Sequence, residues 1–326
     1  MNLLVTGGAG YIGSIVAARL VAEGFHVTLL DDLSTGHAEA AHGMEFFEGD
    51  YGDPAMIDWV FSRLRPEIVV HFAAFSRVEE SEQKKRAYYS NNVEKLGVFL
   101  LALRRNSVEK IIHASSAAVY GAPPVATVSE DSPPAPVNIY GETKLAGERL
   151  VHYAASSYGI QSVVLRLFNV CGATPDGRFG EHHVPETHAV PNLVAAALGL
   201  RAAFEMTGGD HPTPDGSAIR DYVSVNDVAE AVLCATKFLE NGHSGVFNIG
   251  SGRGVSVREL IRTVEEGARR TIPVNFHPMR TGDPAHLVAR VENAQKNLGW
   301  RPRTKLEESV ISTIKWMEAD HRRYNR

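Results

Sequence analysis

A doubly wound α/β fold, built on a parallel sheet and followed by a smaller C-terminal α/β region, is predicted by three observations. Short apolar strands alternate with helix-spaced segments through the first half of the chain. The strands are apolar at nearly every position, as in a parallel sheet covered on both faces. A glycine-rich turn lies directly between the first strand and the first helix.

Taken in order, Asn2 to Thr6 reads as a strand, Tyr11 to Glu23 has helical apolar spacing, and His26 to Leu30 is a second strand. These make a βαβ unit. The alternation continues with a strand at Met44 to Phe47, a helix from Asp53 to Leu64 and the strongly apolar strand Ile68 to His71. A helix from about Arg86 to Arg104, a strand at Lys110 to Ala114, a helix from Asn138 to Ala155 and a strand at Ser162 to Leu167 complete a Rossmann-type domain over residues 1–167. Beyond Phe168 the rhythm changes. A stretch containing Gly, Pro and His runs to Pro191, then come helices near Asn192 to Leu200, Asn226 to Leu239 and Ser256 to Glu266. Residues 168–326 are read as the smaller domain, with some elements crossing between the two, and His321 to Arg326 as a frayed basic tail.

With 326 residues, 44% of them apolar and 22% charged, the chain can build two ordinary globular domains. A net charge of -5 provides no electrostatic footprint for nucleic acid or an anionic membrane, so neither is expected as a partner. The two cysteines, Cys171 and Cys234, are too few for a disulfide scaffold or a four-thiolate metal site and suit a reducing compartment. No secretory segment or membrane-length apolar run is visible, so a cytoplasmic location is expected.

The turn Thr6-Gly7-Gly8-Ala9-Gly10-Tyr11-Ile12-Gly13 has glycines where a tight turn, close phosphate approach and helix-on-sheet packing need them. The helix N-terminus behind it suits a pyrophosphate. Asp31, ending the second strand, can accept hydrogen bonds from both adenosine ribose hydroxyls and repels a 2′-phosphate, which favours NAD over NADP. Asp32 follows it, and Asp50 is a weaker candidate on the adenine side. Tyr140 and Lys144 stand at i and i+4, so both emerge on one helix face. A phenol is a poor base at neutral pH unless nearby positive charge favours its ionised form, which the ammonium and a nicotinamide can do. Tyr140 can then remove a hydroxyl proton as hydride leaves the same carbon. Ser115-Ser116-Ala117-Ala118-Val119-Tyr120-Gly121 follows the preceding strand, at the carboxyl edge of the sheet where ligands bind, and Ser116 can bond both the reacting oxygen and the tyrosine.

These motifs, with His71-Phe72-Ala73-Ala74, Asn91-Asn92-Val93, Phe168-Asn169, Arg220-Asp221-Tyr222 and Arg280-Thr281-Gly282-Asp283, together resemble the UDP-galactose (UDP-glucose) 4-epimerases of the extended short-chain dehydrogenase/reductase family. They run in family order over nearly the whole chain. The resemblance implies NAD in the N-terminal domain, a UDP-sugar in the C-terminal part, and homodimers built from helices around Glu94 to Arg104 and Asn138 to Ser156. It implies Ser116 and Tyr140 as the catalytic pair, with Lys144 on the nicotinamide ribose. Phe72, Ala73, Ala74, Asn92 and Phe168 would line the cofactor or reaction site. Asn169, Arg220 and Arg280 would hold the diphosphate, with Asp283 near the uridine ribose. Two guanidinium groups match two phosphates. The sequence departs from the family pattern at Ala118, Leu167, Met206-Thr207 and Arg290, and carries an added cation at Arg77.

His182, His183 and His188 lie beside Glu181 and Glu186 in a Pro-containing loop without the helical spacing of common zinc sites. No metal is expected there; the histidines, His188 among them, are expected to border the substrate. The reaction expected is oxidation of the 4-hydroxyl, rotation of the 4-keto sugar and return of hydride to its other face. A nucleotide-sugar 4,6-dehydratase would need an acid and a base where Ala117 and Ala118 stand. A non-catalytic NAD sensor would not need Ser116, Tyr140 and Lys144 together. UDP-glucuronate is the competing sugar, with Arg77, Arg178, His183 and His188 as cations able to offset its carboxylate.

Overall fold

The computed structural model describes residues 1–41, 43–279 and 282–319. Its first half runs β1 (Asn2–Thr6), α1 (Tyr11–Ala22), β2 (His26–Asp31), β3 (Glu45–Glu48), α2 (Pro54–Leu64) and β4 (Ile68–His71). Next come α3 (Val78–Gln83), α4 (Lys85–Tyr89), α5 (Lys95–Arg105), β5 (Lys110–Ser116), β6 (Thr127–Val128), α6 (Ile139–Tyr158) and β7 (Gln161–Leu167). All strands here except the short β6 join one parallel sheet, ordered β11-β7-β5-β4-β1-β2-β3, where β11 is Gly245–Ile249. The chain winds outward from β1 through β2 to β3, then crosses back to β4 on the other side of β1. That reversal opens a crevice beyond the carboxyl ends of β1 and β4, the place where doubly wound sheets hold ligands.

Period-two packing explains the two buried faces. Leu3 and Val5 of β1 belong to the cluster that includes Ile15, Val16 and Leu20 of α1, whereas Leu4 lies with Phe61, Phe99 and Leu103 on the opposite face. The strands β4 and β5 are almost wholly buried, which is why they read as unbroken apolar runs.

The second half adds β8 (Asn169–Cys171), α7 (Ala189–Ala197), β9 (Phe204–Thr207), β10 (Ile219–Ser224), α8 (Val225–Glu240), β11, β12 (Gly254–Ser256), α9 (Val257–Ala268), β13 (Val274–His277), β14 (His286–Ala289) and α10 (Leu306–Ala319). A smaller sheet, ordered β12-β10-β14-β6 with β8 also on β10, carries its own core around Leu193, Phe204, Leu260 and Met317. Elements cross both ways: β6 enters the small sheet, while β11 joins the large sheet and α8 packs on α1.

Two of the expected helices depart from their predicted form. The helix expected from Arg86 to Arg104 is α4 and α5 joined by a π-helical turn, Ser90–Glu94, which carries the buried Asn91 and Asn92. Such widened turns cluster at functional sites because they re-aim a side chain without ending the helix. The helix expected from Asn192 begins at Ala189, because Pro191 falls in the first turn, where its missing N–H costs no hydrogen bond. Residues His321 to Arg326 lie outside the described residues.

Candidate active site

The glycine-rich turn is fixed by sterics. A side chain at Gly7, which has φ +69°, would meet Ala73 N at 2.6 Å, and one at Gly13 would meet Gly7 O at 2.1 Å. Only glycine therefore lets β1, the helix N-terminus and the Phe72-Ala73-Ala74 segment after β4 come together. The helix begins at Tyr11 with Gly10 as its N-cap, which has no side chain to cover the first-turn N–H groups of Tyr11, Ile12 and Gly13. A cradle of this shape fits a pyrophosphate. Asp31 is buried beside it. One carboxylate oxygen accepts Ala9 N at 3.0 Å and the other Leu33 N at 2.9 Å. Burial raises its pKa, against the pull of those two N–H groups.

Other expected cofactor residues also make contacts within the chain. Asp32 accepts hydrogen bonds from the Ser34 N–H and hydroxyl. Asp50 pairs with Lys95 at 2.6 Å and accepts Gly52 N at 2.7 Å. The Asn92 amide accepts Phe75 N at 2.8 Å and donates to Phe75 O and the Thr143 hydroxyl. It thereby clamps the segment after β4 to α6, a link of long sequence range that local pattern cannot reveal.

At the carboxyl edge of the sheet, Ser116 ends β5 and Tyr140 opens α6. The Ser116 hydroxyl faces the Tyr140 phenol and accepts Ala118 N at 3.2 Å. The first turn of α6 is capped three times: Ile139 N by Glu82, Tyr140 N by the Ser81 hydroxyl at 3.1 Å and Gly141 N by Asn138 at 2.8 Å. A side chain at Gly141 would meet Ala118 O at 2.6 Å, so glycine lets the helix approach the serine turn. Lys144, on the same helix face, donates to Ala114 O at 3.0 Å and sits 5.9 Å from the Tyr140 ring centre. Burial lowers the Lys144 pKa to about 8, opposed by the Glu148 carboxylate. Burial likewise pushes the Tyr140 phenol up, opposed by the neighbouring Ser116 hydroxyl.

Behind this trio lies a buried network that the sequence reading missed. Arg166 of β7 forks onto Glu148 of α6 at 3.0 and 2.8 Å and donates to the Tyr120 hydroxyl at 2.8 Å. Ser115 donates to Glu148, and Tyr120 donates to Asn248 of β11 at 2.7 Å. The serine turn is thus tied to three neighbouring elements.

Across the cleft, Phe168 is buried near the Tyr120 ring and Asn169 is exposed on β8. Arg220 and Asp283, both expected on the nucleotide, face each other at 2.6 Å. Arg280 and Thr281 lie outside the described residues. Asp221, fully buried, accepts from Ser251 N, the Ser251 hydroxyl, Gly252 N and Ala289 N, which locks β10 to the loop after β11 and to β14.

The His-containing loop gathers titratable side chains. Glu181, His183, Glu186 and His188 converge, their ligand-type atoms all within 4.8 Å of one another. Burial disfavours the charged His183 ring, yet the Glu181 and Glu186 carboxylates outweigh it and raise its pKa to about 10. His188 reaches Glu181 with its Nδ1, and Arg77 donates to Val184 O at 2.7 Å.

The fold and the site define a class: the chain belongs to the NAD dependent epimerase/dehydratase family, whose model matches residues 3–250. Individual relatives narrow the likeness. UDP-glucose 4-epimerase of Halalkalibacterium halodurans is 43% identical over 312 residues, covering 95% of this chain and 93% of that protein. The crystal structure of UDP-glucose 4-epimerase from Brucella ovis in complex with NAD has a TM-score of 0.92 and 39% identity, covering 96% of both chains. That of Bifidobacterium longum UDP-glucose 4-epimerase in complex with NAD+ and UDP has a TM-score of 0.94 and 31% identity, covering 98% of this chain and 99% of the other.

Proposed function

We infer that the chain catalyses NAD-dependent 4-epimerisation of a UDP-hexose, interconverting UDP-glucose and UDP-galactose through a 4-keto intermediate. The observation that carries this reading is the Ser116, Tyr140 and Lys144 trio at the sheet's carboxyl edge, with a glycine cradle at the same edge and with Ala117 and Ala118 directly after the serine. When bound, NAD supplies a reversible hydride acceptor for the sugar carbon. Gly7 to Gly13 would hold its pyrophosphate and Asp31 its adenosine ribose, while Lys144 would meet the nicotinamide ribose.

Tyr140 exchanges the 4-hydroxyl proton, and Ser116 orients that oxygen by hydrogen bonding. In the chain alone burial keeps the phenol protonated. Lys144, helped by the positive charge a bound nicotinamide would bring, would shift it toward its ionised form. Epimerisation also needs the sugar to turn within the site while the nucleotide stays anchored. Arg220, Asn169, Arg280 and Asp283 are the anchoring residues, so binding energy is concentrated away from the reacting carbon. Ala117 and Ala118 cannot carry a proton, which removes the acid and base that dehydration requires.

A neutral hexose is favoured over a uronate. Of the cations able to offset a carboxylate, Arg77 is spent on Val184 O, Arg178 on Asp176, and His183 and His188 on Glu181. The functional unit is a homodimer through α5 and α6, whose outward Leu101 and Tyr153 are 47% and 56% exposed. Free Cys171 and Cys234 suit a cytoplasmic location, and no described helix is long and apolar enough to cross a membrane. The test is kcat/KM on UDP-galactose, UDP-glucuronate and N-acetylated UDP-sugars, a ratio that measures transition-state discrimination. UDP-galactose is expected to lead, and a preference for the uronate overturns the sugar assignment.

A further inference from the structure

We propose that Glu181, His183, Glu186 and His188 form a four-ligand site for one divalent transition-metal ion of the zinc class, which staples the loop between β8 and α7. Two imidazole nitrogens and two carboxylate oxygens converge within 4.8 Å. A tetrahedral zinc ion with bonds of roughly 2.0 to 2.2 Å holds neighbouring donors about 3.3 to 3.6 Å apart. His183 Nδ1 lies 3.2 Å from Glu181 Oε1 and 3.6 Å from Glu186 Oε2. His188 also turns its Nδ1 to Glu181.

Glu186 supplies the independent observation. Its side chain is 7% exposed. One oxygen accepts Thr187 N at 2.7 Å and His188 N at 2.9 Å, which pins the carboxylate in place. The other oxygen, buried and aimed at the cluster, makes no hydrogen bond among the described residues. Its nearest cationic partner is the His183 ring at 3.6 Å, beyond hydrogen-bond reach, so this buried carboxylate oxygen gains from a closer cation. Two carboxylates and two neutral imidazoles around a dication sum to zero charge. The mixed N and O donors suit zinc better than the oxygen-seeking magnesium or calcium.

Surrounding contacts supply the support that metal ligands ordinarily have. Trp316 of α10 donates to Glu181 O at 3.2 Å, and Tyr11, at the start of α1, meets the His183 ring edge-on at 6.4 Å. His188 is 46% exposed, which leaves the ion a path from solvent. Because all four positions come from protein, the site is structural rather than catalytic. It joins the cofactor turn, α7 and α10 through one loop. Helical spacing, absent here, is only one way to gather ligands; a loop fixed at both ends is another.

The experiment uses tag-free full-length protein treated with dipicolinate and then titrated with zinc chloride by calorimetry, alongside elemental analysis and thermal melts. One tightly held zinc per chain and a higher Tm with zinc are expected. Glu186→Gln and His183→Ala, chosen to leave the buried Glu181 in place, are expected to weaken zinc binding about tenfold or more. Failure of the wild type to retain zinc overturns the proposal and leaves an ion-pair cluster held together by protons. Undiminished zinc binding by both variants, or magnesium bound as tightly as zinc, overturns it as well.

Discussion

Tyr140 and Lys144 share one buried helix face, and burial works against the charged form of each. For the tyrosine this means that its proton can be moved only where positive charge gathers, so removal of the phenol oxygen should strike turnover and not nucleotide affinity. Tyr140→Phe is expected to lower kcat by about 10²-fold or more with UDP binding nearly unchanged, read by steady-state kinetics and calorimetry. For the lysine the consequence is a pH dependence of stability. Its folded pKa of about 8 lies below the ordinary 10.5, so between these values the unfolded chain holds the extra proton and stability rises with pH. Below about 8 both states are charged, and the buried ammonium costs stability. In the NAD-free protein, the Tm of wild type relative to Lys144→Met should therefore climb from about pH 8 to about pH 10.5, equivalent to at most roughly 3 kcal/mol. A flat difference would remove the lysine's buried charge from the account. At this scale the sequence shows what local spacing encodes: the i, i+4 pair, the glycines and Asp31. It hides Asp50 on Lys95, Asn92 on Phe75 and the convergence of Glu181 with His188, because these pairings depend on how the chain closes in space.

The elements that carry the site are aimed by neighbours rather than by their own propensity. Apolar strands were readable because burial on both faces leaves an unbroken apolar run, whereas the π-helical turn at Ser90–Glu94 leaves no mark on a helical period. The short β6, β8 and β12 are equally silent, since two or three residues carry no periodicity. The Glu148 and Arg166 pair is the device that holds α6, β7 and the serine turn in one relation. Breaking a buried pair strands the remaining charge, so Arg166→Met is expected to cost about 3 to 5 kcal/mol, measured by denaturant melts. Restoring neutrality in the Glu148→Gln, Arg166→Met double variant should recover part of that loss. Its kcat should stay low, since Ser115 and Tyr120 no longer share a rigid partner. Full recovery of kcat would show that the network serves stability alone.

Over the whole molecule, the crossing of β6 into the small sheet and of α8 with β11 into the large one makes the two lobes fold as partners. A cut at residue 167 would leave β7 without β11 and α1 without α8, exposing the cluster around Leu20, Val228 and Val232. Part of the exposed apolar surface lies on α4, α5 and α6. The helices α5 and α6 pack side by side against the sheet, yet Leu101 and Tyr153 face outward at 47% and 56% exposure, with Tyr89 of α4 at 40%. Single exposed apolar residues are ordinary; three on adjoining helices form the kind of patch that a partner covers. A second copy presenting the same patch closes a two-fold interface without leaving an open end. Sedimentation of the wild type should therefore give twice the chain mass. Leu101→Asp with Tyr153→Asp, which places charge where desolvation is most costly, should give the single-chain mass with an unchanged far-UV spectrum. A monomeric wild type, or a double variant that still pairs, would move the interface away from α5 and α6.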